Sequence, residues 1–242
     1  MSVCSARAEF VKAMFEPLRI GWGSVRANAV PMVALWLMSV GMVTGYYLLP
    51  EARTVFDRLG RFQRDYGIWA GFVSQFVFCG VIPCAFRLLV ADVRTEHPVL
   101  KSFLQSLWCG CWGIVYVGFY GLQARLFGSG SDFATLAAKT AFDQFVWSPF
   151  LPVPCTAFFC LWMENGFSVR TAAWKFRDDF VRRVWLANLL PNWCIWIPAV
   201  LAIYAFPTVL QVQILGLVGS FWALVSLRLA KVTADWRKAN RS

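Results

Sequence analysis

Lys139, Asp143 and Gln144 stand within six residues of one another in the stretch KTAFDQFVWSP, with Trp147 and Pro149 close behind. An ammonium four residues ahead of a carboxylate meets it on one helical face, a contact worth about 0.2–0.5 kcal/mol. A carboxylate beside an amide can also do chemistry in a dry setting. It can favour cations, pass protons, or tie helices together by accepting hydrogen bonds. Two readings of Asp143 follow from its type and spacing. In one it faces lipid headgroups or pairs with Lys139. In the other, Asp143 and Gln144 point into a helical bundle and line a polar path or hold its helices together.

Other chemistry has little to stand on. The chain has no G-x-S-x-G, no H-E-x-x-H and no glycine-rich loop followed by lysine, and His97 is its single histidine. An enzyme is not expected, and no cofactor is implied. Of the eight cysteines, seven lie within apolar runs and none forms a C-x-x-C pair, so they read as small hydrophobes rather than as a disulfide framework or zinc set. The nearest approach to a metal-ligand pair is Cys109-Gly110-Cys111, and no metal is expected there.

The elements that must position these residues are membrane segments. Hydrophobic residues make up 59% of the 242 and charged residues 15%, with mean hydropathy +0.56, whereas soluble domains are about 45–50% apolar and 25% charged. A helix needs about 20 mostly apolar residues to cross the hydrocarbon core. Uncharged runs over 27–50, 66–86, 102–124 and 144–163 meet that need. A fifth run, 184–227, contains no Asp, Glu, Lys, Arg or His and is long enough for two helices turning at Pro207. The expected fold is therefore all-α, a multi-pass helical membrane protein of about six segments whose last pair forms a hairpin.

Basic residues test that count, because Lys and Arg accumulate on one side of a membrane protein. With both termini on the same side, that side holds seventeen of the 23 Lys and Arg residues and the opposite side six. Four spans with two re-entrant pieces is the competing topology. The formal net charge of +10 comes from residues that flank apolar runs rather than form a stripe on a soluble module, so nucleic acid is not an expected partner. The lipid bilayer, anionic lipids included, is.

The chain reads as one helical membrane domain over 1–242. It opens on a basic segment, 1–28, read as a surface-lying helix; Glu9 and Glu16 argue against an organellar targeting signal there. Residues 168–185 place Val169, Ala173, Phe176, Phe180 and Val184 at helical spacing, as an interfacial amphipathic helix would. The tail, 228–242, is basic. Between spans, RFQRDYG and VRTEHPVLKS read as short polar connectors, and LFGSGSDFATL as a Gly/Ser turn. No internal repeat stands out, which weighs against a secondary transporter. Within the spans, Pro149, Pro152 and Pro154 imply a kinked helix close to Asp143. Amides such as Gln75, Gln123, Asn192, Gln211 and Gln213 suit interhelical hydrogen bonds of around 0.6 kcal/mol or a neutral wet lumen, and Trp147, Trp193, Trp196 and Trp222 suit an interfacial belt.

Three boxes carry a likeness. Lys139, Asp143, Gln144, Trp147 and Pro149 form the first, Asn192, Trp193 and Trp196 the second, and Pro207 and Trp222 the third. In this order and spacing the segment 120–227 resembles the Mpv-seventeen and twenty-two-kilodalton peroxisomal membrane protein family. Ile197 stands where the second box of the family has proline, and Gln211 where the third has arginine. Apolar residues replace the polar Gln and Asn of the family between Trp196 and Pro207. The resemblance implies a small multi-pass protein of the inner mitochondrial membrane, or of a peroxisomal or other organellar membrane. It also implies a weakly selective channel for small hydrophilic solutes, linked to organelle homeostasis. Lys139, Asp143, Gln144, Trp147, Pro149, Asn192, Trp193, Trp196, Gln211 and Trp222 are then the candidates for pore-lining or helix-tying roles. A cation-leaning pore would follow from an ionised, lumen-facing Asp143. A structural or adaptor protein without transport activity is the alternative, and a pore could run within one chain or between copies in a homo-oligomer.

Overall fold

The computed structural model describes residues 22–23, 25–26, 28–90, 97–179 and 186–239. Among them the chain is all-helical, and four helical stretches are long and apolar enough to cross a membrane: Ala29–Leu48, Ile68–Leu89, Pro98–Phe127 and Phe133–Glu164. These four match the first four apolar runs of the sequence. The fifth run becomes two helices, Leu186–Tyr204 and Thr208–Ala239, broken at Ala205, Phe206 and Pro207. Pro207 has no N–H and cannot continue the first helix. It serves instead as the start of the second, where Leu210 N–H bonds to Pro207 O at 2.8 Å.

The helices, numbered in chain order, are α1 (Ala29–Leu48), α2 (Pro50–Tyr66), α3 (Ile68–Gln75), α4 (Ile82–Val90), α5 (Pro98–Phe127) and α6 (Phe133–Phe142). They continue with α7 (Ser148–Phe150), α8 (Pro152–Glu164), α9 (Val169–Asp179), α10 (Leu186–Tyr204) and α11 (Thr208–Ala239). Two π-helical turns interrupt the spans: π1 (Phe76–Val81) between α3 and α4, and π2 (Asp143–Trp147) between α6 and α7.

The chain divides into two compact units. The first takes residues 1–30 and 141–197, the second 31–140 and 198–242. In the second unit, α3 lies against α5 through glycines. A Cβ on Gly71 would sit 2.8 Å from Gly113 O, and one on Gly113 would collide with Gly71 O, so this approach is open only to residues without a side chain. Small residues are the usual means of close helix packing in lipid, where tails are as apolar as leucine. The face of α11 carrying Leu210, Ile214 and Val218 is buried in the same unit. At the α10–α11 break, Tyr46, Phe56 and Phe206 cluster with ring centroids 5.2–5.8 Å apart, and Tyr47 Oη–H donates to Ala205 O at 2.7 Å.

Several local expectations change. RFQRDYG is not a connector but the end of α2, with Pro50 at its start and Glu51 in its first turn, both favourable to a helix N-terminus. Its Gly60 and Gln63 are buried, a pattern that the charges of the segment hide from a hydropathy reading. Within VRTEHPVLKS, α5 already begins at Pro98, one residue after His97 turns the backbone left-handed (φ 51°); residues 93–96 lie outside the described set. LFGSGSDFATL is a turn as expected, with Asp132 capping α6: Thr135 N–H donates to Asp132 Oδ1 at 3.0 Å.

In the first unit, α8 and α9 pack through Phe158 and Phe176, whose centroids are 5.5 Å apart, and Trp162 Nε1–H closes the intervening turn on Phe167 O at 2.7 Å. The apolar face of α9 differs from the expected one. Ala172 is fully buried and Phe176 half-buried, while Val169 and Ala173 are exposed. Packing follows the 172/176 pair because α8 supplies a partner there, and periodicity alone does not say which of two adjacent stripes meets one. Residues 180–185, the rest of the expected 168–185 helix, lie outside the described set, as do nearly all of 1–28; the side chains of the basic tail, 228–242, lie outside it too.

Candidate functional site

Pro149 sets the geometry around Asp143. A proline within a helix leaves one carbonyl without its donor and crowds the preceding turn. The chain accommodates it with π2, in which Ser148 N–H reaches back five residues to Asp143 O. Continued by one residue, that register would pair position 149 with Gln144 O, and proline has no N–H to offer. Trp193 supplies the donor from α10: its Nε1–H bonds to Gln144 O at 2.7 Å. Insertion of a foreign side chain into a helical ladder is one of the identifiable causes of a kink, and π-turns often mark functional positions. A second interruption follows at Leu151 (φ −126°, ψ −69°), where Pro152 and Pro154 enter α8.

Asp143 itself is 4% exposed and Gln144 1%. Asp143 Oδ1 accepts hydrogen bonds from Gln144 Nε2–H and from the Ser148 hydroxyl, both at 3.1 Å. Asn192 Nδ2–H approaches Gln144 Oε1 at 3.4 Å, and the Phe145 and Trp193 rings meet edge-on at 5.3 Å. The first two sequence boxes are thereby joined: Asn192 and Trp193 both bond to Gln144. Trp147 and Trp196 are half-buried and Pro149 is buried. Asp143 is thus a carboxylate held by donors of its own helix, in a network that reaches α10 through one amide and one indole.

Lys139 belongs to the second unit and is 2% exposed. Its Nζ lies over the Tyr204 ring, 5.8 Å from the centroid, a cation–π contact of about 0.5–2 kcal/mol. No carboxylate or other hydrogen-bond acceptor lies within bonding distance of that Nζ among the described residues. Gln123 frames the same place, its Nε2–H donating to Tyr204 Oη at 2.7 Å and to Lys139 O at 3.3 Å. Tyr120 packs on Tyr204 edge-on at 5.6 Å. Gln123 Oε1 and Thr140 Oγ1 are buried without a hydrogen-bond partner among the described residues. Lys139 lies within two turns of the start of the stretch Phe133–Glu164, so a charge there is less unfavourable than the ~2.5–3.5 kcal/mol of a span centre, and the cation–π contact offsets part of that.

The third box does not assemble. Gln211 is buried and bonds to Phe206 O at 2.9 Å, closing the α10–α11 break, while Trp222 is half-buried further along α11. Just outside the span, Asp132 is held below the usual carboxylate range by the Thr135 N–H, with the Thr135 hydroxyl adding to it.

Sequence reasoning overlooked a repeat. Ser74-Gln75-Phe76-Val77-Phe78 matches Asp143-Gln144-Phe145-Val146-Trp147, and Pro83-Cys84-Ala85-Phe86 matches Pro154-Cys155-Thr156-Ala157-Phe158 with one insertion. Both stretches contain a π-turn. In π1, Ile82 N–H bonds to Val77 O, five residues back, so Pro83 leaves Phe78 O without a donor. The Ser220 hydroxyl of α11 takes that carbonyl. Gln75, the counterpart of Gln144, is likewise buried, its Nε2–H donating to Val212 O of α11 at 2.7 Å. The tripeptide Gln-Phe-Val ahead of a proline was the available signal. Ser148, Ser220 and Tyr204 gave none, since their roles depend on which helices meet.

No family model, curated protein or solved structure matches this chain.

Proposed function

We propose that this chain is an integral membrane protein forming a weakly selective channel or pore for small hydrophilic solutes, as its resemblance to the Mpv-seventeen family implies. One observation supports the reading above others. In the second unit, Ser39 Oγ, Gln123 Oε1 and Thr140 Oγ1 are buried with no hydrogen-bond partner among the described residues. Buried polar groups are nearly always satisfied by protein or water, and groups left open among membrane helices suit bonding to passing water or solute. Gln63, Gln75, Gln211 and Gln213 are buried in the same unit and give its interior a neutral polar character. In this proposal Asn192–Tyr204 and Thr208–Leu224, apolar but shorter than the four long stretches, complete a six-segment topology as a hairpin with both termini on the basic side. The host membrane is the mitochondrial inner membrane first and a peroxisomal or other organellar membrane second, on the resemblance alone. The pore runs within one chain or between copies of a homo-oligomer.

The structural or adaptor reading has its own support in the bonds that Asp143 accepts from Gln144 and Ser148. A carboxylate so engaged orders its own span and orients Gln144, which Asn192 and Trp193 tie to α10, and we give Asp143 that role rather than the mouth of a cation path. Single-channel recording of purified protein in planar bilayers, wild type beside Asp143→Asn, tests both. The expected result is discrete openings in each, with one reversal potential and a lower melting temperature for the variant. Silence from folded, inserted wild-type protein would leave the structural reading in place of the pore.

A further inference from the structure

We infer that Lys139, with Gln123 and Tyr204 around it, is an anion-selecting site, taking halide or the anionic oxygen of a small carboxylate or phosphate. The inference rests on the pore reading and deepens it by naming the class of solute. Lys139 is the residue of the first box whose charge the described residues leave unanswered: 2% exposed, inside the stretch Phe133–Glu164, with the Tyr204 ring beneath its ammonium. A buried ammonium that is neither exposed nor paired favours whatever anion reaches it, because low dielectric strengthens the attraction that water would screen. Tyr204 holds the side chain without neutralising it, and Gln123 fixes Tyr204 by donating to its hydroxyl at 2.7 Å. Gln123 Oε1, buried with no hydrogen-bond partner among the described residues, can accept from a water that travels with the ion. Asp143, the carboxylate next along the chain, already accepts two hydrogen bonds within the first unit. The two charges of the box thus divide, the negative one into structure and the positive one into selection.

The test is the reversal potential of full-length protein in planar bilayers of neutral lipid under a potassium chloride gradient, repeated with potassium acetate and potassium phosphate. Wild type should reverse on the anion side. Lys139→Gln should move the reversal potential to or past zero, and Lys139→Arg should keep the wild-type sign. Wild-type openings that favour potassium overturn the inference and leave the pore reading standing, a result that needs no variant to fold. An unchanged reversal potential in Lys139→Gln does the same. Absence of openings from folded wild-type protein overturns the pore reading and the inference with it. Rank order among chloride, acetate and phosphate identifies the anion class, and a conductance for chloride alone would overturn the oxyanion half of the assignment.

Discussion

The two π-turns solve one problem with different materials. In π1, Pro83 leaves Phe78 O open and a serine hydroxyl from α11 takes it; in π2, Pro149 leaves Gln144 O open and a tryptophan indole from α10 takes it. The surroundings differ more than the device does. Around π1 the donors and acceptors are neutral, with Gln75 bonded to a backbone carbonyl. Around π2 a buried carboxylate gathers Gln144 and Ser148. A neutral amide bonded to backbone can be lost for the value of one hydrogen bond, whereas removing a buried charge leaves several groups committed to it unpaired. The second unit thus holds its proline-broken span with neutral hydrogen bonds and the first with a network built on a carboxylate.

The largest effect should therefore come from Asp143. Replacing it with alanine is expected to destabilise the protein by about 3 kcal/mol, the range for a hydrogen-bonded buried charge whose partners lose their acceptor. Gln75→Ala, its neutral counterpart in the second unit, should be destabilising by about 1–2 kcal/mol. Melting temperatures in detergent, measured side by side, check this. Equal losses would dissolve the contrast between the units.

Next come the two donors themselves. Trp193→Phe keeps the ring and removes the N–H, and Ser220→Ala removes the hydroxyl. Each leaves a buried carbonyl without its side-chain donor, for about 1–3 kcal/mol. The sharper form is a double-mutant cycle. Pro149→Ala restores a backbone N–H that can serve Gln144 O, so Trp193→Phe in that background should be milder than alone, with a coupling of about 1 kcal/mol. Pro83→Ala with Ser220→Ala should couple alike. Strict additivity in both cycles would mean that the prolines and the donors do not share a carbonyl.

How much of this the sequence disclosed follows from what each feature depends on. The four long apolar stretches depend on composition within one segment and were legible as such, although the fourth begins at Phe133 and not at Gln144, because Lys139 and Asp143 interrupt the uncharged run. The break at Pro207 was legible because proline acts locally. Lys139, Asp143 and Gln144 could be named as candidates from their types and spacing, and Asn192 and Trp193 from the resemblance of their box to the Mpv-seventeen family. That Asn192 and Trp193 both bond to Gln144 could not be read, because it depends on how α10 meets a helix more than forty positions earlier. α2 was misread as a connector because its charges outweigh its few apolar positions in a hydropathy average, although Gly60 and Gln63 show one face of it buried. The repeat between the two stretches was available as Gln-Phe-Val followed at a distance by Pro-Cys, but so short and interrupted a match draws notice only when both stretches are seen to contain a π-turn.

The smallest expected effect lies just before the broken span, where the comparison also finds a contrast in helix starts. α3 begins at Gly67 with no side-chain cap, whereas α6 begins with the Asp132 carboxylate on the Thr135 N–H. That bond holds the Asp132 pKa below its ordinary value of about 3.9. A group depressed in the folded state contributes stability that is complete above its unfolded pKa and is lost as pH falls through the folded one. Protection of the first-turn amides of α6 against hydrogen exchange should accordingly hold at neutral pH and decline only below about pH 4, while the first turn of α3 shows no such step. Asp132→Ala should abolish the step and lower protection at every pH, and Asp132→Asn, which keeps an acceptor at the cap, should abolish the step while retaining most of the protection. A step that survives in Asp132→Ala would assign it to another group and leave the α6 start no better anchored than that of α3.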